Sequence, residues 1–512
     1  MLLINIDHSP LTLAMLKQVI DGPVKLKVTE AVWQDVRKSR AVVMDVIAKE
    51  KTVYGINTGF GILAKRSISH HQLEMLQKNI ILSHAAGVGD YLDDATVRLI
   101  LVLKLKALLR GYSGISEKVV NALTALVNHE VYPCIRAQGS VGASGDLAPL
   151  SYIGAVLLGE GKVRIGGKVL PASEGLKQLG LEPIALGAKE GLALNNGTQV
   201  STAICLKNYF ALEDLLLVSM ACGALALDAA GGTDSPLDER IHQARGQQGQ
   251  IDVAEYYRQL LTGSALLELQ RRQHGRVQDP YSLRCQPQVL GACLDQLRHA
   301  AVILAAEANS VTDNPLIFVD DNEILSGGNF HAEPVAFIAD NLALVAAEIG
   351  SLSERRLALL MDEHFSGLPA FLVAGNGVHS GFMVAQVTAA ALVSENKQLC
   401  YPASVDSIPT SASQEDHVSM ATHGARRLGK MARNLQYTLA IELLAGCQGI
   451  DLRAPLKTSV PLMMLHTNLR ERVSFYEVDR FFDPDIEQSA QLLQEFVWRD
   501  LCQVHLLPSQ RE

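Results

Sequence analysis

The chain has 512 residues, enough for about three domains at one per roughly 150 residues, or for fewer around one large helical core. Hydrophobic residues make up 48% and charged residues 19%, which excludes a disordered chain. With 45 Lys and Arg against 54 Asp and Glu, the net charge of −9 sets the chain against nucleic acid and anionic membrane surfaces. Small-molecule chemistry is the better expectation.

The first residues, MLLINIDHSP, have no basic stretch, and Asn5 and Asp7 interrupt their apolar run, so no signal peptide is expected. Val24, Leu26 and Val28 alternate with Lys25 and Lys27, the pattern of a half-buried strand. Thr29 then stands where it can cap a helix with Val32, Val36, Val43 and Ile47 on its inner side. Glycine-rich segments follow at YGINTGFG (Tyr54–Gly61) and GSVGASGD (Gly139–Asp146). A hairpin is expected where Val163 and Ile165 meet Val169 across Gly166-Gly167, and another around Asp320–Asn322.

From about residue 200 the pattern turns helical. Leu215–Leu227 is the longest apolar window. It falls short of the roughly 20 residues a bilayer span needs, so it reads as a buried helix. Pro334 suits the first turn of a helix whose Ile338, Leu342, Val345, Ile349 and Leu352 form one stripe. Similar stretches cover 205–230, 295–311, 380–400 and 421–448. The expected fold is mainly α: a mixed portion over residues 1–200 carrying the glycine-rich loops, then a long-helix bundle over 201–512. Eight cysteines without any CxxC pair fit free thiols in a reducing cytoplasm.

GSVGASGDL is the most unusual loop. A phosphate cradle needs a lysine after its glycines, and Asp146-Leu147 stands there instead. A nucleophile elbow needs glycine two residues beyond its serine, and that position is Asp146. A plain glycine-rich turn between helices remains open. A third reading is chemical. Gly145 has no Cβ and Ala143 is small, so the Gly145 nitrogen can attack the Ala143 carbonyl carbon. Loss of two waters, one from the Ser144 hydroxyl, would leave an imidazolone with an exocyclic methylidene, an electrophile that no side chain supplies.

The run GSVGASGDLAPL resembles the methylidene-imidazolone (MIO) loop of the aromatic amino-acid ammonia-lyases. YGINTGFG, EGLALNNGTQ, VQDPYSLRCQPQ, TDNPL, GGNFHAEPVA, SENKQ and TSASQEDHVSM resemble that family's other segments, in the same order and along nearly the whole chain. The resemblance implies MIO built from Ala143, Ser144 and Gly145, with no external cofactor and no metal. It implies Tyr54 as the base for the substrate β-proton, with Tyr281 next in line and lining the pocket beside Phe330. Arg284 would grip the carboxylate, and Asn196 and Gln278 would bond around MIO and the amine. Ser83-His84 and Gln414–His417 resemble the segments of members acting on L-histidine, so His84 and Glu415 are expected to face an imidazole.

The implied reaction is non-oxidative deamination of L-histidine to trans-urocanate and ammonia, the first step of histidine breakdown. It would run in a cytoplasmic homotetramer whose active sites are shared between subunits. The same chemistry on tyrosine or phenylalanine, or a 2,3-aminomutase, is the alternative. His331-Ala332-Glu333 resembles part of a zinc-deaminase signature, but Pro133-Cys134 comes before it and Ala137 fills the second cysteine position. Three positions depart from the family pattern: Asn195 replaces an aliphatic residue, Tyr401 replaces a common histidine, and Ser151-Tyr152 replaces the usual pair. At any of these polar positions taken alone, an ordinary salt bridge, turn cap or satisfied core amide is the commoner role.

Overall fold

The computed structural model describes residues 2–59, 68–273, 277–375, 377–502 and 504–510. Phe60 and Gly61 of the Tyr54–Gly61 segment lie outside these. The fold is mainly α, as expected. Its centre is three long helices, Gln199–Ala229, Glu333–Met361 and Ala421–Leu452, which pack on one another. Gln248–Leu261, Gln286–Ala308 and Met383–Leu399 surround them.

Composition explains the length of these helices. They are rich in Ala, Leu and Met, and their only prolines, Pro287 and Pro334, sit in first turns, where a missing N–H costs nothing. The Gln199–Ala229 helix is apolar on all sides, so it must be surrounded by other elements. It is long and apolar enough for a membrane span, yet 89% of its most apolar window is buried within the protein. The Leu215–Leu227 window is thus the C-terminal half of a buried helix, and its burial is as expected. Arg356 and Glu442 join two of the central helices through a fully buried pair, Nε to Oε1 at 2.5 Å, with Ser353 Oγ donating to Oε2 at 2.5 Å. Removing one member would strand a buried charge, typically a loss of about 3–5 kcal/mol.

The small strands sit at the edges. Leu2–Ile6 runs parallel to Val24–Val28. Lys162–Ile165 and Lys168–Pro171 form the expected hairpin over Gly166-Gly167, but Val169 pairs with Arg164, not with Val163 or Ile165. Leu316–Phe318 and Glu323–Leu325 form the second. The Glu30–Ala48 helix follows Thr29, whose hydroxyl makes no capping bond and is buried without a partner. Val46, not Ile47, completes that helix's buried face, in line with Val32 and Ser39, while Ile47 is only partly buried. All eight cysteines are free.

Candidate active site

The loop Gly139–Asp146 ends at the first turn of the Leu147–Leu157 helix, and Asp146 anchors it. This fully buried carboxylate accepts from Ser201 N at 2.7 Å, Ser201 Oγ at 2.9 Å, Ser140 Oγ at 2.8 Å and Thr422 Oγ1 at 2.6 Å. Its charge is spent on holding the loop. Gly145 requires glycine twice over. Its φ is +72°, and a Cβ there would lie 2.2 Å from the Gly197 carbonyl oxygen. That carbonyl accepts from Asp146 N at 2.7 Å.

Ser144 is held at both ends. Its Oγ donates to Glu415 Oε1 at 2.5 Å, and its carbonyl accepts from Asn196 Nδ2 at 2.7 Å. Glu415 Oε2 in turn accepts from Thr410 Oγ1 at 2.6 Å. Behind Asn196 lies Lys104, whose Nζ donates to the Asn196 carbonyl at 2.7 Å. Full burial lowers the Lys104 pKa to about 7, with Asp313 and Asp146 opposing the shift. Sequence reasoning missed Lys104; a lysine within the apolar run LILVLKLKALL was the available signal.

His84 ends the Leu73–His84 helix, with Ser83 Oγ 3.0 Å from its Nδ1. Burial lowers its pKa, while the Ile80 carbonyl and the Glu415 charge pull the other way. Ser144, Asn196, Glu415 and His84 therefore belong to one constellation. Next to Tyr54, a Cβ on Gly55 would meet Leu192 Cδ2 at 2.9 Å, one helical turn before Asn196. Phe330 immediately precedes His331 and Ala332, and Ala332 N donates to the Gly142 carbonyl at 3.2 Å.

Gln278, Tyr281 and Arg284 are placed differently. They surround the Tyr281–Arg284 helical turn, and no hydrogen bond among the described residues ties them to the loop. Gln278 is exposed and Tyr281 is 70% exposed, with the Arg284 guanidinium 4.7 Å from the Tyr281 ring centroid. Arg284 Nε is buried without a hydrogen-bond partner. Asn195 is fully buried, and neither atom of its amide is bonded.

The loop's leading peptides are clamped from two sides. The Gly142 carbonyl also accepts from Ser419 Oγ at 2.9 Å, and Met420 N donates to the Val141 carbonyl at 2.9 Å. Beside these two segments stand His331, Glu333 and His417, with one possible ligand atom from each lying within 4.8 Å of the others. Sequence reasoning considered only His331 and Glu333, because His417 lies 86 residues beyond His331.

The aromatic amino acid lyase family model matches residues 11–471. The histidine ammonia-lyase of Photobacterium profundum is 57% identical over 506 residues, 99% of each chain. That of Vibrio cholerae is 56% identical over 510 residues, 100% of each. Among solved structures, the Trypanosoma cruzi histidine ammonia-lyase is 39% identical with a TM-score of 0.90, covering 98% of this chain and 95% of its own. A Streptomyces globisporus tyrosine aminomutase is 33% identical with a TM-score of 0.93, covering 98% and 99%.

Proposed function

The chain belongs to the aromatic amino acid lyase family, and we propose that it removes ammonia from L-histidine, without oxidation, to give trans-urocanate. It is a carbon–nitrogen lyase. The observation that carries the substrate is the polar pair at the site: Glu415 sits on Ser144 Oγ and exerts its charge on His84. An imidazole has one donor and one acceptor nitrogen, and these two side chains match them. A phenyl ring would leave them unpaired.

Ala143, Ser144 and Gly145 fit a backbone-derived MIO. The tripeptide is folded tightly at a glycine that no other residue could replace, and Asn196 Nδ2 already holds the Ser144 carbonyl. When formed, MIO supplies an electrophilic carbon for the substrate amine. Tyr54 takes the β-proton, His84 and Glu415 hold the imidazole, and Asn196 stabilises charge on the Ser144 carbonyl oxygen. Arg284 receives the carboxylate through its planar pair of donors. Gln278 bonds near the amine, with Tyr281 and Phe330 against the substrate ring.

We assign Gln278, Tyr281 and Arg284 to the site of a neighbouring subunit in a homotetramer. The exposure of Gln278 and Tyr281 supports this, as do apolar side chains left uncovered on long helices: Val302, Phe337, Leu344, Val384 and Val387. The assembly is a cytoplasmic one in this reading. The test is kcat/KM for histidine, tyrosine and phenylalanine, together with intact mass. Strong preference for histidine and a deficit of two waters are expected; preference for tyrosine or phenylalanine overturns the substrate.

A further inference from the structure

We propose that His331, Glu333 and His417 bind one divalent transition-metal cation of the zinc class, which staples together the two segments that clamp the catalytic loop. His331 and Glu333 face each other across a gap that one cation fits. His331 Nε2 lies 3.2 Å from the His417 carbonyl oxygen, so that nitrogen carries the proton and donates it. That leaves Nδ1 as the ring nitrogen placed to take a metal. It faces Glu333 Oε2 at 3.8 Å, and that oxygen is buried with no hydrogen-bond partner. A cation between these two atoms would be coordinated by both.

The distances suit that role. Bonds of about 2.0–2.1 Å in a tetrahedral site separate ligand atoms by about 3.4 Å, within a few tenths of an ångström of the observed 3.8 Å. The third donor comes from His417, whose ring now stacks on His331 at 5.7 Å between centroids and 10° between planes, so it must rotate out of the stack to aim a nitrogen at the ion. His417 is exposed, which leaves its side chain room to turn. A metal-bound histidine commonly gives its other N–H to a backbone carbonyl, as His331 does. Two imidazoles and one carboxylate are borderline ligands that suit zinc, cobalt or nickel better than calcium or magnesium. Water would complete the coordination shell.

The position gives the ion its consequence. Ala332, between His331 and Glu333, and Ser419, two residues after His417, both donate to the Gly142 carbonyl, one residue before Ala143. A shared ion fixes the segments to each other and hence the loop between them.

The experiment uses the full-length protein, free of any histidine tag and dialysed against a chelator. Zn(II) is titrated by calorimetry and Co(II) by visible absorption. One ion per chain is expected, with Co(II) bands of a four- or five-coordinate site and a rise in the zinc-loaded unfolding temperature. Glu333→Gln and His417→Ala should each weaken zinc binding about tenfold or more and abolish the thermal shift. Absence of stoichiometric binding overturns the proposal. Binding unchanged in both variants overturns it equally. If either variant folds poorly, the wild-type Co(II) spectrum decides, and missing bands refute the site.

Discussion

Ser144 Oγ donates a 2.5 Å hydrogen bond to Glu415 Oε1, so the loop's serine and the pocket's carboxylate are joined across 271 residues of sequence. Under the proposed cyclisation, the hydroxyl lost to make the methylidene is the one that occupies Glu415 Oε1. Its loss would leave Oε1 open to a substrate N–H. In that reading a single carboxylate serves the loop before cyclisation and the imidazole after it.

Ser144→Ala removes the leaving hydroxyl. The fold should persist, because the anchors of the loop are Asp146, Gly142 and the Gly145–Gly197 contact. Activity should fall to near zero. Peptide mapping of the wild type should place a two-water deficit at Ala143–Gly145 that is missing in the variant; an unmodified peptide in fully active enzyme rejects the mechanism.

Tyr54→Phe should leave the two-water deficit intact while lowering turnover. Loss of a general base typically costs about 10²–10⁴-fold in rate. The loss should appear in kcat rather than KM. A wild-type kcat in this variant moves the role to Tyr281.

The helical half of the fold was legible because long apolar stripes carry their own period: Ile338, Leu342, Val345, Ile349 and Leu352 are all buried on the Glu333–Met361 helix. At the loop, the structure bears out the need for glycine at Gly145, whose φ is +72° and whose Cβ position is filled by the Gly197 carbonyl; the cyclisation of Ala143-Ser144-Gly145 stays a proposal. What sequence could not give was partnership at a distance. Nothing local tells that Lys104 reaches the Asn196 carbonyl, that Ser201 and Thr422 share Asp146, or that His417 stacks on His331. Those contacts depend on how helices stack, a property of the whole bundle. Local chemistry also misled at Thr29: its residue type and position suit a cap, yet its hydroxyl bonds to nothing.

His84→Leu should depress kcat/KM for histidine. Leaving a buried donor or acceptor of the substrate unmatched costs about 1–3 kcal/mol, or roughly tenfold to a hundredfold. The two-water deficit should be unchanged. Equal kcat/KM in the variant and the wild type removes His84 from substrate recognition.

Asn195→Leu should stabilise the protein. The amide is fully buried with both atoms unbonded, and its chain neighbours Leu192, Ala193 and Leu194 are buried and apolar. An unsatisfied buried polar group costs about 1–3 kcal/mol, and a leucine removes that cost. Calorimetry should show a higher unfolding temperature; a lower one means that Asn195 does bonding work in the assembled enzyme.

Lys104→Met tests the buried ammonium. Removing it unpairs the Asn196 carbonyl, and Asn196 positions the Ser144 carbonyl through its side chain. A displacement of about 1 Å at a reacting group can cost a hundredfold in rate, so a clear fall in kcat is expected. Stability gives a second readout with a definite sign. The folded-state pKa is lowered from 10.5 to about 7, so between these values the unfolded chain binds the extra proton and the folded one does not. Stability from this group therefore rises as pH increases from about 7 toward 10. Unfolding measured across that range should show a positive pH slope in the wild type that is shallower in Lys104→Met. Identical slopes would mean that Lys104 keeps an ordinary pKa despite its burial, and the fall in kcat would then rest on the lost hydrogen bond alone.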